Sequence, residues 1–360
     1  MTSEANLKTN YMALKAAGHA FFRMTNQGLD CSLVRTHMDR ISCDEEWYPT
    51  WRGVGKYFRD SAEKSMREGR SVSAGQLFTK ASLAYHFAQY LHFSNLEEKK
   101  EASSLKVDCY TRALDLQPWR GIRVSVPFDD LSLPAIFRTP TTADKAPLVV
   151  LVCGSDSSKE EHFVIEREFL SRGMATVSFD GPGQGEVAQR MPMRPDYHRA
   201  VSAVIDSAGS LEGLDLDRIG VIGFGFGGKL AVGAAATDRR IRACVSASGY
   251  FDMTVMNWQD PIRSWRFAHL VGVSTLDEAR RAAEAYTLEP LIGFLHSDLL
   301  VLHGGMDAGI PAAAAKRIAD CAGETADFAI VEGGVHCFHN VSWKTNPLIC
   351  DWMLAHLCSE

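Results

Sequence analysis

The chain has 360 residues, 46% of them hydrophobic and 23% charged, which is enough apolar material for one large core or two modest ones and excludes a disordered or fibrous protein. A formal net charge of -6, with no long run of one sign, leaves no electrostatic footprint for nucleic acid or an anionic membrane, so neither is expected as a partner. Nine scattered cysteines without a C-x-x-C pair argue against a disulfide framework or a structural zinc.

The N-terminal "MTSEANLKTNYMALK" has no apolar signal core, and the longest apolar run, around "APLVVLVCG", is too short to span a bilayer, so a cytoplasmic location is expected. From residue 51 to 93, apolar and aromatic residues recur three and four apart with charges between them, the spacing of successive amphipathic helices. The texture changes at "LQPWRG", residues 116 to 121. Beyond it, strands are expected at "IRVSV", "PAIFR", "LVVLVC", "ATVSFD", "IGVIG", "RACVSAS", "LLVLH" and "DFAIVE", separated by helix-sized segments. Inner strands that are apolar on both faces imply an α/β fold whose eight-stranded sheet is mostly parallel. The expected domains are a helical cap over 1–118 and an α/β domain over 119–360.

Within the fifth of these strand units, "RIGVIGFGFGGKLAV" (218–232) runs from a strand through glycines into a small-residue helix. Gly223, Gly225 and Gly228 satisfy the dinucleotide pattern G-x-G-x-x-G; Gly223, Gly225 and Gly227 occupy the frame of the nucleophile elbow G-x-S-x-G, with glycine where the serine belongs. A dinucleotide fold places its fingerprint after its first strand, with an acidic residue at the end of the next. Here the loop follows the fifth strand, and the next ends in serine and glycine, with Asp252 the nearest acid. The elbow is the better reading, and no nucleotide, metal or other cofactor is expected. Two later loops supply the partners an elbow requires, in the order acid then histidine. Asp307 follows the "LLVLH" strand and His336 follows "DFAIVE". His339 lies further into the next segment and reads as a neighbour or helix-start residue.

Taken together, "GSDSSKEE" (154–161), "FDGPGQGE" (179–186), the elbow, "HGGMD", "GGVHCFHN" and the helical "SAGQLFTKASLAYHFAQYL" resemble the FrsA-like branch of the α/β-hydrolases, the family of 2,6-dihydroxypseudooxynicotine hydrolase and of fungal polyketide-shortening hydrolases. The resemblance covers most of the chain. It implies an α/β-hydrolase fold with an N-terminal helical cap, and cleavage of a carbon–carbon bond beside a ketone by serine, aspartate and histidine. It carries Asp307 over as the acid and His336 as the base, and it puts Gly225 at the nucleophile position, where no side chain can attack. The oxyanion hole would survive as the backbone N–H groups of Phe226 and Ser155. Gly154 and Asp156 beside Ser155, and Tyr85 or His86 on the cap helix, are the expected substrate contacts, although the aromatics and His86 there read first as cap core. Ser155 and Cys153 are poor substitute nucleophiles, the first facing the hole and the second the strand. The "GPGQGE" loop reads as a tight turn or as a substrate contact, and Ser157 and Ser158 followed by Glu160 and Glu161 as a helix start. The expected activity is His–Asp acid–base chemistry on a small-molecule aryl ketone or polyketide, without a serine. The alternatives are a serine hydrolase whose nucleophile has been disabled and a ligand-binding pseudo-hydrolase. A homodimer is left open.

Overall fold

The structure, a computed structural model, describes Met12, residues 18–141 and residues 145–358; apart from Met12, the N-terminal stretch read above for a leader lies outside these residues. The chain forms two compact units, residues 1–121 with 260–266, and residues 122–259 with 267–360. No helix among the described residues is long and apolar enough to cross a membrane.

In the first unit three long helices follow one another, Trp47–Arg67, Ser71–Gln89 and Leu96–Leu114. The last starts where the Asn95 side chain accepts hydrogen bonds from the Glu97 and Glu98 backbone, both at 3.2 Å, with those acids complementing the helix dipole. Trp47, Trp51, Phe78, Tyr85 and Phe87 form its buried core. The one polar atom of the Trp47 ring is satisfied inside that core, donating to the Phe87 carbonyl at 2.8 Å, as a buried indole N–H requires.

The second unit is built on eight strands: β1 (Gly121–Phe128), β2 (Leu131–Arg138), β3 (Ala146–Val152), β4 (Ala175–Phe179), β5 (Leu214–Phe224), β6 (Ile241–Ala247), β7 (Asp298–Gly304) and β8 (Ala326–Val331). All eight expected strands form. Their order is β1-β2-β4-β3-β5-β6-β7-β8, with β2 antiparallel to β4 and parallel pairing from β4 through β8. Every residue of β3 and β4 is buried, which is why those segments read as unbroken apolar runs rather than alternating ones. This is the α/β-hydrolase fold. The fifth strand begins earlier than "IGVIG": the half-exposed Leu214–Arg218 stretch has no apolar run and is recruited by pairing of Leu214 and Asp215 with Ala146 and Pro147. The chain leaves β3 toward β4 on one side and returns to β5 on the other, so the loops after β3 and β5 diverge at the carboxyl end of the sheet. Ligands of such sheets bind in that crevice.

Candidate active site

Between β5 and the helix Phe226–Thr237 the chain turns at a single residue, Gly225, with φ 57° and ψ -121°. That conformation is costly for any residue with a Cβ. The flanking glycines answer a different need, close approach. A Cβ on Gly223 would strike the Gly227 carbonyl, one on Gly227 would lie 2.5 Å from the Val152 carbonyl, and one on Gly228 would lie 2.9 Å from Ser246 Oγ. The glycine run thus seats the helix directly on β3 and β6. The space a side chain of Gly225 would take is bounded by the tip of another residue: its Cβ would lie 2.9 Å from His336 Nε2 and 3.4 Å from Cys337 Sγ.

His336 reaches that position because two loops interlock. Gly304, at the end of β7, passes so close to the Gly334 carbonyl that a Cβ would collide, and Gly305 and Met306 donate backbone hydrogen bonds to Val331 and Gly334 at 2.9 and 2.8 Å. Asn340 holds the histidine loop from within, accepting from Val335 N–H at 3.0 Å and donating to the Gly333 carbonyl at 2.8 Å. These contacts bring Asp307 and His336 together. His336 Nδ1 donates to Asp307 Oδ2 at 2.6 Å, and Asp307 Oδ1 accepts from the backbone of Gly309 and Ile310 at 2.8 and 3.0 Å. The carboxylate side chain is fully buried, while the imidazole remains 31% exposed. Burial works against the Asp307 charge, but the His336 contact and the two N–H donors outweigh it and lower its pKa. Burial likewise opposes a charged His336; Cys337 and Asp307 overcome this and push its pKa up to about 10. With Nδ1 committed to Asp307, the other nitrogen faces Gly225, the orientation an acid–base histidine requires.

Two residues at this site lie outside the sequence reading. Cys337 follows the histidine with φ 58°, a half-exposed thiol whose Sγ lies 3.4 Å from where a Cβ on Gly225 would stand. Ser248, buried and itself at φ 56°, accepts the Cys337 N–H on its Oγ at 3.0 Å. A cysteine directly after the base was the available signal; its left-handed backbone has none in the sequence.

The loop after β3 stands against the elbow. A Cβ on Gly154 would lie 3.3 Å from the Phe224 carbonyl and 4.0 Å from Gly227 N, while the Gly154 N–H donates to Ser157 Oγ at 2.6 Å. Ser155 and Asp156 follow it, half-exposed. The loop is held by Gln184 of "GPGQGE", whose amide donates to the Cys153 and Gly154 carbonyls at 2.6 and 3.2 Å and accepts from Gly181 N–H and Tyr197 Oη at 3.0 and 2.5 Å. Cys153 is buried and donates its thiol to the Phe179 carbonyl at 3.3 Å, and burial raises its pKa; this is an inert structural thiol. Ser158 and Glu161 make the expected capping box.

The residues between and beyond that box do something the sequence does not suggest. Lys159 Nζ lies 2.6 Å from Glu160, 2.8 Å from Asp180 and 2.6 Å from Glu186. These three carboxylates are close enough to ligate a metal, but the lysine ammonium stands at their centre. Tyr85 and His86 are core residues of the helical unit, each 1% exposed; Tyr85 packs on Gly55, where a Cβ would meet its ring at 2.8 Å. That is the core reading of this helix, not the exposed arrangement a substrate contact calls for.

Residues 36–260 match the model of a family described as esterase FrsA-like. The 2,6-dihydropseudooxynicotine hydrolase of Paenarthrobacter nicotinovorans is 31% identical over 309 residues, covering 85% of this chain and 83% of that protein. The 20-hydroxy-prefusarin hydrolase FUS2 of Gibberella moniliformis is 30% identical over 223 residues, 58% of this chain and 53% of its own length. Among solved structures, a 2,6-dihydroxy-pseudo-oxynicotine hydrolase superposes with a TM-score of 0.88 at 29% identity, covering 94% of this chain and 96% of that one.

Proposed function

Since the chain belongs to the esterase FrsA-like family of α/β-hydrolases, we propose that it acts on a ketone or polyketide-like carbonyl compound through His336 and Asp307, with a backbone oxyanion hole and no serine nucleophile. The observation that carries this reading is the 2.6 Å contact from His336 Nδ1 to Asp307 with Nε2 aimed at the turn of Gly225. In this reading Gly225 holds the nucleophile position, the N–H groups of Phe226 and Ser155 receive the negative charge that develops on the carbonyl oxygen, and His336 moves the proton at the carbon being cleaved or rearranged. Gly154 and Asp156 line the substrate's approach. Relatives named as hydrolases of 2,6-dihydropseudooxynicotine and of 20-hydroxy-prefusarin favour an aryl ketone or polyketide.

The alternative of a serine enzyme with its nucleophile removed draws on one observation, the strained φ of 57° kept at Gly225. Gly225→Ser tests both. A new Cβ would sit 2.9 Å from His336 Nε2, so the ring tip must retreat to admit it; the variant is then expected to label with a fluorophosphonate, in a manner that His336→Ala abolishes. The wild type is expected to stay unlabelled and to turn over 2,6-dihydroxypseudooxynicotine or an aryl β-diketone. Equal turnover by the wild type and His336→Ala would overturn the acid–base reading.

A further inference from the structure

We infer that Cys337 Sγ is the nucleophile of this site, reaching from the histidine loop to the edge of the space that a serine at residue 225 would enter from the elbow; the inference rests on the acid–base reading above. The spatial argument is direct. A side chain on residue 225 would place its Cβ 3.4 Å from Cys337 Sγ and 2.9 Å from His336 Nε2, so the thiol at 337 stands in contact with the volume that a side chain on the elbow would enter. The thiol follows directly on His336 and lies, with the ring's Nε2, about the same point beside Gly225, and Asp307 orients that ring at 2.6 Å, so nucleophile, base and orienting acid stand together.

The backbone is bent to achieve this. Cys337 and Phe338 hold φ values of 58° and 59°, and Ser248, which accepts the Cys337 N–H at 3.0 Å, holds 56°. Left-handed conformations of non-glycine residues are costly and persist where surrounding structure enforces them; here Cys337 and its hydrogen-bond partner Ser248 both hold one. The charge state agrees. With its pKa raised to about 10, His336 carries at neutral pH the proton that the leaving carbon needs.

The chemistry balances without an oxidant or cofactor. The thiolate adds to the substrate carbonyl carbon, forming a C–S bond as the carbonyl electron pair moves to oxygen. Collapse of that oxyanion breaks the bond to the neighbouring carbon, which leaves with the electron pair and takes the proton from the His336 imidazolium. Water then gives a proton to neutral His336 and adds to the thioester; the C–S bond breaks and the thiolate and imidazolium are restored. One water is consumed, and a carboxylic acid and a C–H product are formed.

Alkylation of the full chain with iodoacetamide, followed by intact mass and peptide mapping, tests this without knowledge of the substrate. Cys337 is expected to react at least about tenfold faster at pH 7 than the exposed Cys31, Cys43, Cys321 and Cys358, and about tenfold more slowly in His336→Ala. Cys337→Ala and Cys337→Ser, checked for folding by circular dichroism, are expected to lose p-nitrophenyl acetate hydrolysis and ketone turnover. If both retain full turnover while His336→Ala is dead, the nucleophile assignment falls and the acid–base reading stands. If His336→Ala is also fully active, that reading falls with it. Slow, His336-independent alkylation of Cys337 would equally overturn the assignment.

Discussion

Two clusters of charged side chains lie on loops at the carboxyl ends of neighbouring strands, one around Lys159 after β3 and β4, the other around His336 after β7 and β8. The first is built around a buried cation. Lys159 and Asp180 are fully buried, the ammonium touches three carboxylates, and Asp180 accepts in addition from the backbone of Lys159 and Glu186 at 2.9 and 3.1 Å. Burial alone would lower the Lys159 pKa, yet Asp180, Glu160 and Glu186 raise it. The second cluster is closed on one side only: Asp307 is buried and satisfied, whereas His336 is 31% exposed and Cys337 is half-exposed on strained backbone. The comparison teaches that charge density does not mark the reactive loop here. A buried network held by one cation fixes a loop, whereas a buried carboxylate orienting a half-exposed histidine leaves one ring nitrogen unengaged by it.

The largest effect is expected from opening the closed cluster. Lys159→Met leaves three converging carboxylates without their cation and should cost about 3–5 kcal/mol, read as a lower urea midpoint at constant slope or as insoluble protein. A change below about 1 kcal/mol would break the comparison. On the other side, Asp307→Asn should reduce turnover by about 10²-fold or more by releasing the histidine tautomer, with circular dichroism showing the fold intact. Unfolding by that variant would mean that Asp307 is structural in the way Lys159 is.

Lys229, four residues into the elbow, provides an intermediate case. It is 5% exposed, its Nζ lies 5.8 Å from the rings of Phe226 and Tyr286, and burial lowers its pKa to about 8 despite Asp252. A lysine with a depressed folded pKa costs stability while charged, and that cost is relieved as pH rises through the folded pKa. Lys229→Met should therefore raise stability at pH 7 by on the order of 1–3 kcal/mol, a gain that shrinks above pH 8 in denaturation series. The smallest effect concerns His336 itself. Its folded pKa of about 10 lies above the unfolded value of about 6.5, so its contribution is complete below about pH 6.5 and is lost as pH rises toward 10. Discounted for the exposed ring, this is on the order of 1 kcal/mol. Thermal scans should show a fall of a few °C over that window in the wild type, flattened in His336→Gln; identical curves would remove the charge-stabilised imidazolium.

Much of this arrangement was legible in the residues. The parallel strands are apolar on both faces because helices cover the sheet, so "LVVLVC" and "IGVIG" could be read from composition. Asp307 and His336 followed from chain order, since this fold places acid and base on successive strand-end loops. The capping box at Ser158 was legible too, being local. Lys159 was not: its neighbours suggested only a helix start, and its three partners include Asp180 and Glu186, brought in by a loop some twenty residues on. The placement of Cys337 beside Gly225 was not legible for a related reason, because it depends on a backbone turn at 337 that nothing in "HCFH" dictates.

The sequence by itself therefore determined the order of strands and helices, the two glycine-rich turns and the placement of Asp307 and His336 on successive strand-end loops, because short-range periodicity, backbone sterics and chain order act within a few residues or along the whole fold. Only the tertiary structure decided which of two charged loops is sealed and which stays half-open, and that His336 and Cys337 both reach the same point beside Gly225. Those outcomes arise where segments far apart in the chain, the turn after β5 with the loops after β7 and β8, pack against one another. Local propensity carries no record of that approach, because the energy that enforces it comes from close packing and from satisfying buried polar groups across the sheet.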